Sequence, residues 1–185
     1  LSVANGAKNP PHGIMAEHRC GKKGAKTFMI IGKMVTYDTG GFNRKPEIAM
    51  NDMYMDMMGM ANATALFKFL VMVVGQYCNI ILMCNGTENY DGTLPSDIIL
   101  TRGGELIEIN HTDAEGRLTL GDGIDYGVET FHPDAILEQS TLTGAAAVAL
   151  GGRTALSSSR GDSELAGLDH LLPLDWLPPG VTLVN

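Results

Sequence analysis

Four acidic residues stand where side chains from separate elements can meet. Asp38 closes an apolar run just ahead of Thr39 and the double glycine Gly40-Gly41. Asp56 lies near the start of a Met-rich stretch. Asp113 and Glu115 flank Ala114 after a further run, with Gly116-Arg117 following. In α/β sheets, functional groups gather beyond the carboxyl ends of strands, so these acids can converge. Convergent carboxylates without a histidine partner suit hard or borderline divalent cations, which prefer oxygen ligands. Taken singly, each acid reads more readily as a solvated loop residue or a helix cap.

The elements that must position these acids are read from periodicity and punctuation. Residues 1–26 are polar, carry Pro10-Pro11 and read as an irregular lead-in. Thr27–Gly32 (TFMIIG) is a glycine-bounded apolar run, consistent with a buried strand, and Met34–Asp38 (MVTYD) reads as a second β segment. From Met53 to about Val74 no proline interrupts a run of Ala, Met, Leu and Phe, which predicts a long, largely buried helix. Asn79–Cys84 (NIILMC) reads as a core strand, followed by a polar loop over Asn85–Pro95. Asp97–Thr101 and Glu105–Ile109, split by Gly103-Gly104, form a hairpin pattern. Leu118–Val128 is a helical segment weakened by Gly121, Gly123 and Gly127. Asp134–Leu137 returns as a strand, and Gly144–Leu150 as a helix of small residues. The alternation predicts an α/β fold: a mixed, largely parallel sheet flanked by helices.

Composition sets bounds on this reading. The chain has 185 residues, 44% of them apolar and 18% charged, enough for one globular domain spanning 1–185. A net charge of −8 argues against a nucleic-acid partner, because phosphate binding needs clustered Lys and Arg. No uninterrupted apolar run approaches the roughly 20 residues that cross a bilayer, and no signal-peptide pattern opens the chain. Cys20, Cys78 and Cys84 have no CxxC spacing and read as reduced structural thiols. A soluble cytoplasmic protein without a membrane partner is the expectation. The crowd of methionines between Met50 and Met60 reads as adaptable core or pocket lining.

Several strings around the acids go further. GKMVTYDTGGFNRK (Gly32–Lys45), MYMDMMG (Met53–Gly59) and HTDAEGRLTL (His111–Leu120) occur in that order. The last resembles the NTDAEGRL signature of the leucyl, or cytosol, aminopeptidases. The first resembles that family's GKGVTFDTGG segment, STLTGA (Ser140–Ala145) its ATLTGA segment, and TENY…LPSDI its AEN…PGDI stretch. The resemblance is best over residues 27–151. It implies the catalytic domain of that family, apparently incomplete, with the family's N-terminal domain absent.

Carried over residue by residue, the resemblance implies a dinuclear metal site. Lys33 and Asp56 would bind one ion, Asp38 and Glu115 would bridge both, and Asp113 would complete the other. Lys45 and Arg117 would be the two catalytic groups that are not ligands. Met53, Thr141, Leu142 and Gly144 would line the pocket for the substrate's first side chain. The implied reaction is hydrolysis of N-terminal, leucine-like residues from peptides by a bridging hydroxide, with bicarbonate held near Arg117 as the general base. Four carboxylates balance two divalent cations only if the ligating lysine is uncharged, which for an ordinary lysine costs roughly 4.6 kcal/mol at pH 7. Burial beside two cations offsets that cost. Zinc is the first expectation for the metal, with manganese, magnesium or cobalt also compatible with mixed oxygen and amine ligation. The resemblance further implies a homo-hexamer.

His111 stands where the signature has asparagine, and Met34 and Met58 replace small residues beside Lys33 and near Asp56, where they could crowd the pocket. These departures leave an alternative: a catalytically impaired structural paralogue that keeps fold and assembly. Two-metal phosphoryl hydrolysis shares the carboxylate chemistry but finds no P-loop or basic clamp here. His12, His18, His132 and His170 read as surface or structural.

Overall fold

The apolar run that begins at Thr27 does not stop at Gly32. In the computed structural model, which describes residues 2–151 and residue 156, both expected β segments form one strand, β2 (Thr27–Asp38). An irregularity between Val35 and Tyr37 shifts its register. Its neighbour β3 (Asn79–Asn89) runs parallel and extends five residues past the expected core strand, into the expected loop. On the other side β6 (Ala135–Gln139) is also parallel. The lead-in is not irregular throughout, because β1 (His12–His18) pairs antiparallel along the outer edge of β3. Its seven residues (HGIMAEH) are mostly solvent-facing and follow no apolar alternation that would announce the strand. The order β1-β3-β2-β6 is the mixed, largely parallel sheet that the alternation of elements predicts.

The sheet is covered on both faces, which is why β2 and β3 read as continuous apolar runs. Ile30, Met34, Ile80, Leu82 and Cys84 pack with Ala63 of α2 (Met58–Val74) on one face. Met29, Ile31, Ile81 and Met83 pack with Leu120 of α3 (Glu115–Phe131) on the other. The expected helix from Met53 is therefore shorter. A four-residue helix, α1 (Glu47–Met50), and a 3-10 turn over Met53–Met55 precede α2. Nor is it largely buried: within α2 only Gly59 and Ala63 are, while Phe69, Met72 and Val73 are exposed. Apolar residues all round a helix do not reveal which face a single sheet will cover. Glu47–Val74 is also long and apolar enough, by length and composition alone, to cross a membrane, which a search for uninterrupted apolar runs does not register.

The hairpin forms as β4 (Ile98–Leu100) and β5 (Leu106–Glu108). Its tip residue Arg102 ion-pairs with Asp125 and Glu129 of α3, and its N–H donates to Asp122 Oδ1 at 3.0 Å. His132 closes α3 in the left-handed conformation (φ 46°), and His18 Nε2 lies 2.8 Å from Gly75 O. His12 is exposed, and His170 lies outside the described residues. All three cysteines are free thiols. The chain divides into two compact units, residues 1–142 and 143–185. The described part of the second contains α4 (Ala145–Leu150), with Gly144 at its N-cap.

Two glycines of α3 with the same intrinsic helix cost differ in surroundings. A Cβ on Gly121 would meet nothing within 4 Å, whereas one on Gly123 would lie 2.7 Å from Ile31 Cδ1 and 2.9 Å from Asn85 Nδ2. Gly121→Ala is expected to stabilise the protein by about 0.5–1 kcal/mol, and Gly123→Ala to destabilise it by about 1–3 kcal/mol. Urea midpoints that move in the same direction for both variants would contradict this packing.

Candidate metal centre

Three buried carboxylates meet at the carboxyl end of β2. Asp38, Asp56 and Glu115 each place one oxygen within 4.8 Å of the others. Between them runs Lys33, 3% exposed, whose Nζ lies 2.7 Å from Asp56 Oδ2 and 2.9 Å from Glu115 Oε1. It donates hydrogen bonds to Asp56 Oδ1 (2.8 Å) and the carbonyl of Thr141 (3.2 Å). Asp56 Oδ2 and Glu115 Oε1 are close to the ammonium but off its hydrogen-bonding directions, and Glu115 Oε2 has no hydrogen-bond partner. Buried acceptors in that condition are costly unless a cation takes them up.

Local backbone explains how each group arrives. Asp38 ends β2, and Gly40 (φ 87°) and Gly41 (φ 65°) turn the chain through a region that other residues rarely adopt. The turn returns the Gly40 N–H to Asp38 Oδ1 at 2.9 Å. It also brings Lys45 Nζ to 2.8 Å from Asp38 Oδ2 and into contact with Asp113 Oδ1. Asp113 thus joins the cluster through the Lys45 ammonium. Thr112, beside it, donates to Gly40 O (2.6 Å), and Asn43 N–H donates to Thr112 Oγ1 (2.8 Å), which locks the two loops together. Glu115 is the first residue of α3, and Gly116 behind it leaves the space that Lys33 fills: a Cβ there would lie 2.5 Å from Lys33 Cε. Gly59 similarly lets α2 press against β2 and β6, which places Asp56 beside Lys33.

Charge and burial compete throughout. Burial pushes the Glu115 carboxyl up to about 7, against the pull of Lys33 and with the help of nearby Asp38. Burial also raises Asp56, with Lys33 and the Thr141 hydroxyl opposing. For Lys45 burial works against the charge, but hydrogen bonds to Asp113 and Asp38 outweigh it and hold the ammonium above its ordinary value.

Of the residues singled out in the sequence, Lys33, Asp38, Asp56, Glu115, Lys45 and Asp113 form this connected cluster. Arg117 lies on the exposed side of α3. Thr141 donates its hydroxyl to Asp56 Oδ1 at 2.7 Å, Leu142 is exposed, and Met53 is half-buried in the turn that precedes Asp56. Gly144 belongs to the second unit. Met34 does not crowd the cluster, because its side chain enters the α2-side core over Gly86 while Lys33 faces α3. Met58 is exposed at the start of α2. His111 Nδ1 accepts the Asp113 N–H at 3.2 Å, a bond that an asparagine side-chain oxygen can also accept. Asn89 is the residue that reading for chemistry passed over. Its Nδ2 donates to Asp38 Oδ1 (2.7 Å) and Thr112 O (3.2 Å), holding the Asp38 carboxylate in place. The signal was its place in the TENY string.

The profile described as "Cytosol aminopeptidase family, catalytic domain" matches residues 1–169. The chain belongs to the cytosol aminopeptidase family. Similar members include the "probable cytosol aminopeptidase" of Pseudomonas syringae pv. tomato, 41% identical over 157 residues (83% of this chain, 31% of that protein). That of Nitrosospira multiformis is 40% identical over 169 residues (90% and 32%). Among solved structures, the leucine aminopeptidase of Caenorhabditis elegans superposes with a TM-score of 0.79 at 34% identity, covering 90% of this chain and 34% of its own. The leucyl aminopeptidase of Leishmania major, in complex with actinonin, gives 0.73 at 30%, covering 84% and 32%. The chain therefore spans about a third of the length of the family members it matches.

The donor set fits a divalent cation: carboxylate oxygens, one amine and a buried acceptor awaiting a partner. Glu115 must lose its proton to act as a ligand. Unfolded, it ionises near 4.5; folded without metal, near 7. Its contribution to the stability of the metal-free fold is therefore complete below pH 4.5 and lost as pH rises through 7. Cation affinity runs the opposite way: a ligating Lys33 must also give up a proton, so below pH 7 affinity falls by at least about tenfold per pH unit as protons compete with the ion. Calorimetric titration with zinc or manganese between pH 5.5 and 8 should show that slope, and a flat profile would rule out this proton competition.

Proposed function

We propose that this chain carries the catalytic centre of a metal-dependent aminopeptidase that removes N-terminal residues, leucine-like ones preferred, from peptides. One observation carries the proposal: three buried carboxylates and Lys33 share a pocket in a member of the cytosol aminopeptidase family. In this reading Lys33 and Asp56 would hold one divalent cation, Asp113 would hold a second, and Asp38 and Glu115 would serve both. Zinc is the first candidate, with manganese, magnesium and cobalt compatible. Bound there, the pair would activate water at neutral pH and polarise the scissile carbonyl.

The chain's own residues account for the rest. The substrate's free α-amine, which an internal peptide bond lacks, would be taken up by one of the cations held there, so cleavage is confined to the N-terminal residue. Lys45 directs positive charge at the oxygen that becomes anionic as the carbonyl is attacked. Arg117, exposed and unable to act as a base itself, offers a permanently charged guanidinium to a small anion such as bicarbonate, which would take the proton from water. Thr141 orients Asp56 through its hydroxyl, and Asn89 orients Asp38. Met53, Thr141 and Leu142 are assigned to the pocket for the first side chain; for Gly144 that assignment rests on the STLTGA resemblance alone. A single methylene changes binding by only about 1–3 kcal/mol in such pockets, so the preference is broad. A homo-hexamer is proposed for the assembly, and the relatives' cytosol naming supports a soluble protein.

Metal-loaded protein should release leucine from leucyl amides, and chelators should abolish the release. Asp113→Ala is expected to lower bound metal from two ions towards one and activity by orders of magnitude. Lys45→Met should reduce kcat on the order of 100-fold with metal content unchanged. Full turnover by Asp113→Ala, or no leucine release by loaded wild type, would overturn the assignment.

A further inference from the structure

We propose that Cys20 and Cys78 form a reversible dithiol–disulfide couple that staples the segment after β1 to the start of β3. The placement comes from the β1–β3 ladder. Its pairs run regularly from His12 opposite Gly86 to His18 opposite Ile80. Two places further on, the same antiparallel register sets Cys20 opposite Cys78. Two contacts show that the chains still run side by side there. The Cys20 N–H donates to Asn79 Oδ1 at 3.2 Å, and Lys22 Nζ lies 4.7 Å from the centre of the Tyr77 ring.

Both cysteines also occupy one face. Alternate strand positions share a side, so Cys20 follows His18 and Cys78 precedes Ile80 towards α2. On that side His18 Nε2 approaches Gly75 O, and Cys78 packs against the core around Ile80. Directly opposed residues of an antiparallel pair hold their Cβ atoms roughly 4.5–5.5 Å apart, and a disulfide needs about 3.5–4.5 Å. Cys20 lies just past the end of β1 and its N–H bonds a side chain, so closing that gap breaks no backbone ladder bond. Both thiols are half-buried, within reach of a small oxidant. Burial and the neighbouring Cys20 push the Cys78 thiol up, which lowers its thiolate fraction and slows its attack on a disulfide. Cys84 is the internal contrast. It is opposite Ile14, fully buried, and its thiol is pushed up to about 11.

The chemistry is exchange with a low-molecular-weight disulfide such as oxidised glutathione. One cysteine thiolate attacks a sulfur of that disulfide, forming a mixed disulfide and expelling one glutathione thiolate. The second cysteine thiolate attacks the protein sulfur of the mixed disulfide and expels the other. Two cysteine thiols are oxidised, one glutathione disulfide is reduced to two thiols, and the cysteines' protons pass to the expelled thiolates. The bond closes a loop that contains β2, Asp38, Lys45, Asp56 and α2, constraining the unfolded chain.

Oxidised glutathione added to the intact chain should lower its mass by about 2 Da, and peptide mapping should recover Cys20 joined to Cys78. The melting temperature should rise by roughly 5–10 °C and return on treatment with dithiothreitol. Cys20→Ser and Cys78→Ser should each abolish the link and the shift, whereas Cys84→Ser should leave both. Stable glutathione adducts on both cysteines without a link, a link through Cys84, or unreacted thiols in the wild type would each overturn the proposal. These readouts do not involve peptide hydrolysis, so they stand or fall independently of the proposed function.

Discussion

Carboxylates can leave water only where positive charge and hydrogen bonds replace what water supplied. In this protein Asp38, Asp56 and Glu115 are withdrawn to the end of a sheet otherwise filled by Ile, Met and Val. Two lysines meet the demand in different ways. Lys33 sits inside the cluster, 3% exposed, within ion-pair distance of Asp56 and Glu115. Lys45 reaches in from the glycine turn and joins Asp38 to the more exposed Asp113. The balance is incomplete, because Glu115 keeps an oxygen without a partner and its carboxyl is pushed up to about 7. The donor set of such a site suits a further cation.

The same demand shapes the backbone. Acids from the turn before α2 and the start of α3 can both touch Lys33 of β2 only if those elements approach more closely than side chains normally allow. Gly59 removes the Cβ that would strike Gln139 O, and Gly116 removes the one that would strike Lys33. Thr112, Asn43 and Asn89 then bind the loops into one unit through short hydrogen bonds at or beside the acids.

Much of this was legible in the residues. The apolar runs at Thr27 and Asn79 announced central strands, and the glycine pairs announced the turn after Asp38 and the hairpin before α3. β1 was not legible, since this mostly exposed edge strand has no apolar alternation to read, and its pairing is dictated by β3. The faces of α2 were hidden for the opposite reason: apolar residues surround it, and only contact with the sheet distinguishes Ala63 from Met72. Met34 illustrates the same limit, because neighbouring strand positions point to opposite faces and only the sheet shows that Lys33 takes the site side.

Sequence alone determined which groups were present and in what order, because motif strings constrain residue types at short range: acids after strands, glycines beside them, lysines near both. It also determined the family, through strings too long and too ordered to be independent. Tertiary structure alone decided that acids separated by as many as 77 positions, Asp38 and Glu115, share one buried pocket, and that Lys45 rather than Lys33 joins Asp113 to it. Convergence of this kind depends on register and helix approach, which are properties of packed elements and leave no mark on any single stretch of chain.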